Sequence, residues 1–332
     1  MSEAISQIKA ASAGWRPDMR ALSPFIALVA LIILGTLLNP DFLSVSNLTN
    51  VVTRSAFIAI IAVGATFVIA GGGLDLSVGS MAAFVAGMMI LALNSMGGAD
   101  SGTLAIGIGL AILLGAACGL ANGLVVTVGR IEPFIVTLGT MGIFRALIIY
   151  LAAGGTITLS NFQLRELYRP FYFGSVLGIP VPVLAFIAVA AIASVILYKT
   201  PFGRHVVAIG SNPEVARYSG VPIARVLTLT YVIQGLCVGL AVLVYVPRLG
   251  SATPTTGLLW ELQAITAVVI GGTALKGGTG RIWGTIVGAI ILEVVGNIMV
   301  LSNLVSEYLI GAVQGAIIII AMLVQRSLQR EA

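Results

Sequence analysis

Apolar runs long enough to cross a lipid bilayer recur along almost the whole chain, and they constrain its fold more than any other feature. A helix of about 20 apolar residues spans the hydrocarbon core of a membrane, and ten runs in this sequence approach that length. The runs cover residues 23–39, 51–70, 76–93, 104–128, 134–152, 181–198, 226–246, 258–275, 282–301 and 307–325. The sequence therefore predicts an all-α, polytopic membrane protein with about ten transmembrane helices.

The scarcity of charge excludes a soluble fold. Only 9% of the 332 residues are charged and 58% are hydrophobic, whereas soluble domains carry about 25% charged residues. A soluble chain of this composition would expose large apolar patches and aggregate. Basic residues are scattered over several loops, so we expect no nucleic-acid partner. One histidine and two separated cysteines predict that the chain binds no metal.

The distribution of lysine and arginine predicts the orientation of the chain. Ten spans put both termini on the same side of the membrane. Placing the termini in the cytoplasm leaves twelve basic residues inside and only Arg54, Arg165, Arg169 and Arg248 outside, as the positive-inside rule requires. The predicted organisation is a cytoplasmic N-terminal arm (1–22), a transmembrane domain (23–325) with an outside loop (153–180) and a cytoplasmic loop (199–225), and a cytoplasmic C-terminal tail (326–332).

The cytoplasmic loop contains a short helix with clear start and stop signals. Asn212 suits the N-cap, Pro213 suits the first helical position, and Gly220 followed by Pro222 suits a stop. A helix of about two turns is too short to be stable in water by itself. We therefore hypothesise that this helix docks against a partner protein and receives force from it.

Three ionisable residues fall within or beside predicted spans. Arg145 and Glu293 lie inside the fifth and ninth spans, and an arginine at the centre of a span costs about 2.5–3.5 kcal/mol on insertion scales. We expect these two residues to pair or to face a polar path, and a packing salt bridge without a substrate role is the alternative. Asp75 is expected to be the N-cap of the third span, with proton or ion coupling as the alternative.

Glycine-rich stretches interrupt the apolar pattern at two places. The interruptions at Gly71–Asp75 and Leu275–Gly280 could instead belong to broken or re-entrant helices. The segment 68–87 resembles the segment 269–288 in the placement of its glycines, which indicates a weak internal repeat. GxxxG spacing at Gly115–Gly119–Gly123 predicts close helix packing.

The chain has no signature of an enzyme. The glycine cluster that most resembles a P-loop is Gly271–Gly278. It lacks the Gly-Lys-Ser/Thr ending that holds phosphate and magnesium. His205 lies in the predicted cytoplasmic loop, outside any span, which argues against an intramembrane Ser–His protease. We expect no catalytic residue and no cofactor bound by this chain.

Four sequence blocks resemble the permease subunits of bacterial ATP-binding-cassette sugar importers of the ribose, xylose, arabinose and galactoside group. The chain is most similar in character to the ribose-type permeases, and the blocks occur in the family's order. They are GGGLDLSVGS (71–80), IEPFIVTLGTMGIFRAL (131–147), TPFGRHVVAIGSNPEVARYSGVP (200–222) and ELQAITAVVIGGTALKGGTGRIWGTIVGA (261–289).

This resemblance implies an importer permease fold in the bacterial inner membrane. Two permeases would form the channel, two ATPase subunits would bind ATP and magnesium on the cytoplasmic side, and a periplasmic sugar-binding protein would dock outside. The cargo would be a ribose-like monosaccharide. The alternatives are an ion-coupled secondary transporter and a membrane scaffold without transport. The residues that the resemblance assigns to ATPase coupling are Gly203, Arg204, Asn212, Pro213, Glu214, Ala216, Arg217, Ser219 and Gly220.

Overall fold

The computed structural model describes residues 19–302 and, beyond them, only residues 309, 311–313, 315, 316 and 319. Most of the predicted N-terminal arm, most of the tenth predicted span and the C-terminal tail therefore lie outside the described residues. The helices in chain order are α1 Met19–Leu38, α2 Val45–Ala70, α3 Val78–Met96, α4 Ser101–Thr127, α5 Pro133–Leu151, α6 Phe162–Tyr168, α7 Pro170–Phe173, α8 Val181–Lys199, α9 Pro201–Ser211, α10 Pro213–Tyr218, α11 Ile223–Leu249, α12 Trp260–Ile270 and α13 Ile282–Ser302.

The described chain is helical almost throughout, which confirms the all-α prediction. A 3₁₀ turn, Pro40–Leu43, follows α1. The only strands in the described residues are two-residue pieces, and they form two antiparallel pairs. The strands are β1 Ile157–Thr158 with β4 Ser251–Ala252, and β2 Ser175–Val176 with β3 Ile179–Pro180.

Seven described helices are long and apolar enough to cross a membrane: α2, α3, α4, α5, α8, α11 and α13. Two further predicted segments form shorter apolar helices, in α1 and in α12. The prediction of a full span over 258–275 is wrong, because α12 has only 11 residues and covers about half of the roughly 30 Å hydrocarbon core. Pro254 and the positive φ angles of Gly257 and Leu259 prevent a helix before Trp260.

Helix α2 lies at the centre of the described bundle. Within the 18-residue apolar stretch that would cross the membrane, 83% of the residues of α2 are buried, against 22% for α5. Helix α11 packs along both α2 and α4. A Cβ atom on Gly115 would lie 2.3 Å from the carbonyl oxygen of Gly235, and one on Gly119 would lie 2.1 Å from that of Tyr231. The GxxxG prediction of close packing is therefore confirmed, because only glycine lets these two backbones meet.

The two glycine-rich interruptions are real breaks, and both begin with the same turn. Helix α2 is terminated by Gly72, whose φ angle is 86°. The N–H of Gly72 donates to the carbonyl of Ile69, and the N–H of Gly73 donates to the carbonyl of Val68. Helix α12 ends in the same way at Gly272, whose φ angle is 85°. The N–H of Gly272 donates to the carbonyl of Val269, and the N–H of Thr273 donates to the carbonyl of Val268. This is the Schellman motif, which requires a left-handed residue and so favours glycine.

Candidate functional site

The segment between α8 and α11 folds into two helices that meet at Asn212. Thr200 caps α9 by accepting a hydrogen bond from the N–H of Gly203 at 3.3 Å. Asn212 caps α10, because its Oδ1 accepts from the N–H groups of Glu214 and Val215 at 3.0 and 3.1 Å. The short helix predicted after Asn212 is confirmed. Helix α9 was not predicted, although the pair Thr200–Pro201 carries the same start signal as Asn212–Pro213.

One face of these two helices is buried against the membrane bundle. Val206, Ile209 and Ala216 pack with Ala70 and Val226 in a small apolar cluster. Gly203 is also turned inward, since a Cβ atom there would lie 2.0 Å from the carbonyl oxygen of Leu197. Gly203 and Ala216 therefore hold the two helices in place and are not available for direct contact with a partner.

The opposite face of α9 and α10 is exposed and mixed in character. Tyr218 is 88% exposed and Val215 is 59% exposed, and Glu214 and Arg217 form an ion pair at 3.7 Å beside them. Exposed aromatic and apolar groups flanked by charges are typical of protein interfaces. We call this face the coupling surface; its residues are Arg204, Asn212, Pro213, Glu214, Val215, Arg217, Tyr218, Ser219 and Gly220.

The C-terminal end of α9 meets both helix breaks through close backbone contacts at three glycines. The N–H of Gly278 donates to the carbonyl of Ala70 at 2.9 Å. A Cβ atom on Gly210 would lie 1.9 Å from that same oxygen and 2.5 Å from the Gly278 nitrogen, and one on Gly277 would lie 3.0 Å from the Cα of Gly72. We call this contact the glycine junction. It joins the C-terminal end of α9 to the end of α2 and to the break between α12 and α13.

The expected pair between Arg145 and Glu293 is not formed. The guanidinium of Arg145 donates to the carbonyls of Pro254 and Thr256, the latter at 2.9 Å, and the nearby carboxylate is Glu261. Glu293 instead faces the charges of Arg54 and Arg248. The physical reason is the non-helical segment before α12, whose backbone carbonyls at Pro254 and Thr256 accept hydrogen bonds from Arg145.

Asp75 is not the N-cap of α3, so that prediction is wrong. The capping position is Ser77, and Oδ1 of Asp75 accepts hydrogen bonds from the N–H and the hydroxyl of Ser77 at 2.8 and 2.6 Å. Asn122 of α4 donates to the Ser77 hydroxyl oxygen at 2.8 Å. Asp75 Oδ2 and Asn122 Oδ1 are buried and have no hydrogen-bond partner among the described residues. The sequence carried no signal for Asn122, which a distant helix supplies.

Burial determines the protonation behaviour of Asp75. The side chain lies between two spans and only 6% of its surface is exposed. Desolvation raises the pKa of this carboxyl above its ordinary value, against the smaller opposing effect of the hydrogen bonds from Ser77 and Asn122. The structure therefore brings Asp75, Ser77 and Asn122 together as one buried polar cluster, and it keeps Arg145 and Glu293 away from it.

Comparison with known proteins adds the family. Residues 47–322 match the family model described as branched-chain amino acid transport system / permease component. The chain is 40% identical to the ribose import permease protein RbsC of Bacillus subtilis (93% of each chain covered) and 38% identical to that of Haemophilus influenzae (90% of this chain and 91% of the relative). It is 34% identical to the D-allose transport system permease protein AlsC of Escherichia coli (92% and 91% covered).

No solved structure gives a significant match to the chain. The family model nevertheless covers most of the sequence, and the relatives align with it over nearly their whole length. The chain, with its seven described apolar spans, therefore belongs to this family of transport-system permease components.

Proposed function

We propose that the chain is the transmembrane permease subunit of an ATP-driven importer that translocates a ribose-like monosaccharide across the bacterial inner membrane. Its relatives are named as import permeases for ribose and transport permeases for allose. Separate ATPase subunits bind ATP and magnesium and hydrolyse the nucleotide. A second permease, identical to the first, completes the channel, and a periplasmic sugar-binding protein delivers the cargo. Both termini lie in the cytoplasm.

The coupling surface is the observation that carries this proposal. Helix α10 has six residues, and a helix of this length is not stable without packing. Its buried face uses a single small side chain, Ala216, while Val215 and Tyr218 face away from the bundle. This geometry suits a helix that seats in a groove of another protein. Through α9, the glycine junction then connects a movement of α10 to the end of α2 and to the break that follows α12.

The path of the sugar is proposed to run beside the non-helical segment that precedes α12. Irregular backbone at membrane depth is tolerated where protein covers it or where it lines a wet cavity, and broken helices of this kind form substrate sites in transporters. Arg145 holds two carbonyls of this segment, and Thr255 is exposed there. A neutral sugar needs only such hydroxyl and carbonyl groups for weak, transient contacts.

Co-purification tests the proposal. The tagged permease is co-expressed with the ATPase of its operon, and wild type is compared with Val215→Ser/Tyr218→Ala. Tyr150→Ala is the matched control, because Tyr150 is 82% exposed but belongs to α5 and not to the coupling surface. We expect the double variant to lose the ATPase and the control to keep it. Retention of the ATPase by all three proteins would remove the docking role of α10.

The ion-coupled alternative retains one supporting observation, the buried carboxyl of Asp75 with its unpartnered oxygen. Uptake measurements in proteoliposomes separate the two functions. The importer requires the ATPase subunits and internal ATP. If the permease alone accumulates solute on a proton or sodium gradient, and Asp75→Asn abolishes that uptake, the chain is a secondary transporter.

A further inference from the structure

A cavity of about 310 Å³ lies at the C-terminal end of α11, the end of this helix that is distant from the coupling surface. It is formed where α6 and α7 fold back over the C-terminal end of α11. Its volume falls at the lower end of the range of small-ligand sites, about 300–1,000 Å³. The lining residues are Leu159, Arg165, Glu166, Tyr168, Arg169, Phe173, Pro247, Arg248, Leu249 and Gly250.

The lining of this cavity is strongly unbalanced in charge. Three arginines, Arg165, Arg169 and Arg248, face it together with one carboxylate, Glu166. Glu166 pairs with Arg169 at 3.5 Å. Arg165 and Arg248 form no ion pair with any of the described residues. Outside the lining, the carboxylate of Glu293 acts on Arg248. Three arginines against these two carboxylates leave a local excess of one positive charge, and an anion would relieve the remaining repulsion among the arginines.

Topology makes this concentration of arginine unusual. The positive-inside rule disfavours basic residues at the end of the bundle opposite the coupling surface. Of the four arginines that the sequence places on that side, three line this one cavity, and only Arg54 lies elsewhere. These three arginines do not help to orient the chain, because the positive-inside rule disfavours them on this side. Their convergence on one cavity indicates another role.

The side chains around the cavity are apolar and exposed. Phe173 is 58% exposed and Leu249 is 54% exposed. The nearby β2–β3 hairpin presents Val176 at 54% and Leu177 at 97% exposure. Ends of spans lie at the membrane–water interface. A cationic cavity with an apolar rim at this level suits a ligand that combines an anionic group with hydrocarbon.

We propose that the cavity binds a phosphate group, and that its source is the headgroup of an anionic phospholipid. Guanidinium groups recognise phosphate oxygens through paired, charge-assisted hydrogen bonds. The charge excess favours a headgroup with net negative charge over a zwitterionic one. The apolar rim favours a lipid over a free ion. The site would fasten the α6–α7 segment to the membrane, independently of the sugar that the chain carries.

Native mass spectrometry of the purified full chain, exchanged into mixed phosphatidylglycerol and phosphatidylcholine, tests this site. We expect wild type to retain one phosphatidylglycerol molecule selectively, and Arg165→Gln/Arg248→Gln to retain it about tenfold less, since charge-assisted bonds are lost at two positions. Arg54→Gln is the matched control, because this arginine is exposed on the same side but does not line the cavity. Its retention should equal that of wild type.

Further arms identify the source of the phosphate and guard against misfolding. Arg165→Lys/Arg248→Lys keeps the charge, and it should restore part of the selectivity that the glutamine variant loses. A second outcome is that millimolar inorganic phosphate displaces the lipid from wild type and binds less well to the glutamine variant. That result would support a phosphate site in the cavity but would overturn the lipid as its ligand. Equal retention of phosphatidylglycerol by wild type and the glutamine variant would overturn the site. So would dependence of retention on Arg54 alone.

Discussion

The glycine junction makes a quantitative prediction for the substitution Gly210→Ala. The added methyl carbon would lie 1.9 Å from the carbonyl oxygen of Ala70 and 2.5 Å from the nitrogen of Gly278, where real Cβ atoms essentially never approach within 3.0 Å. Both obstacles are backbone atoms, so no side-chain rotation relieves the overlap. The end of α9 must therefore move away from α2 by about 1 Å.

Two effects of Gly210→Ala lower the free energy of unfolding, and a third, smaller effect raises it. Overpacking a tight contact costs about 1–3 kcal/mol. The same methyl carbon also pushes the Gly278 N–H and the Ala70 carbonyl apart, and the loss of their hydrogen bond costs about 1–3 kcal/mol more. Alanine recovers about 0.5–1 kcal/mol through its higher helix propensity. We expect the free energy of unfolding to fall by about 1–5.5 kcal/mol.

The assay can use the protein's own thiols. Cys118 and Cys237 are free and buried, so a thiol-reactive fluorophore reports unfolding when heating exposes them. We expect the midpoint of Gly210→Ala to fall well below that of wild type. Gly109→Ala is the control, because a Cβ atom at Gly109 meets nothing within 4 Å. Equal midpoints for both variants would refute the rigid backbone contact.

The glycine junction also predicts that Gly210→Ala separates ATP hydrolysis from ATP-driven uptake. If it transmits movement from α10, Gly210→Ala assembled with the ATPase in proteoliposomes retains ATP hydrolysis at a temperature below its midpoint but loses ATP-driven uptake. Loss of both activities together with loss of the ATPase from the complex would instead place the defect in the docking of the ATPase. Uptake at the wild-type rate would show that the contact transmits nothing.

Three further substitutions test the other contacts. Asn212→Ala removes the cap of α10 and should cost about 0.5–2 kcal/mol of local helix stability, so co-purification of the ATPase should weaken while the global unfolding midpoint changes little. Arg145→Met leaves the carbonyls of Pro254 and Thr256 without their donor, at about 1–3 kcal/mol for each buried acceptor; uptake should fall while the ATPase still co-purifies, and Arg145→Lys should recover part of it. Asp75→Asn removes a carboxyl whose folded pKa is raised. Since the folded state binds this proton more tightly, wild type gains stability as the pH falls through the raised pKa. The variant should lack that gain, so the unfolding midpoint of wild type should rise relative to that of the variant as the pH is lowered. A difference between the two midpoints that does not change with pH would contradict a raised pKa at Asp75.

Local signals in the sequence predicted the elements that local chemistry controls. Asn212, Pro213 and Gly220 marked the start and end of α10, because capping and left-handed turns depend on residues only a few positions apart. The same kind of signal at Thr200 and Pro201 was present but was not used, so α9 was missed. Broken helices at the glycine-rich stretches were an alternative to continuous spans, and the structure has breaks there because each turn needs glycine, at Gly72 and at Gly272.

Side-chain partners across the bundle were predicted poorly. Arg145 and Glu293 were paired because each is a charge inside an apolar run, yet their real neighbours are Pro254 with Thr256 and Arg54 with Arg248. The pattern of charges along the chain does not show that the non-helical segment before α12 offers its backbone carbonyls to Arg145 of α5, residues more than 100 positions away.

By itself, the sequence determined that this chain is a helical membrane protein with a short, capped helix between two spans. Hydropathy and capping are properties of neighbouring residues, and they act in any fold that the chain adopts. Only the tertiary structure decided that α9 and the two breaks meet at Gly210, that Asn122 completes the cluster of Asp75, and that three arginines share one cavity. Those contacts join residues far apart in the chain, and their geometry depends on how the helices cross.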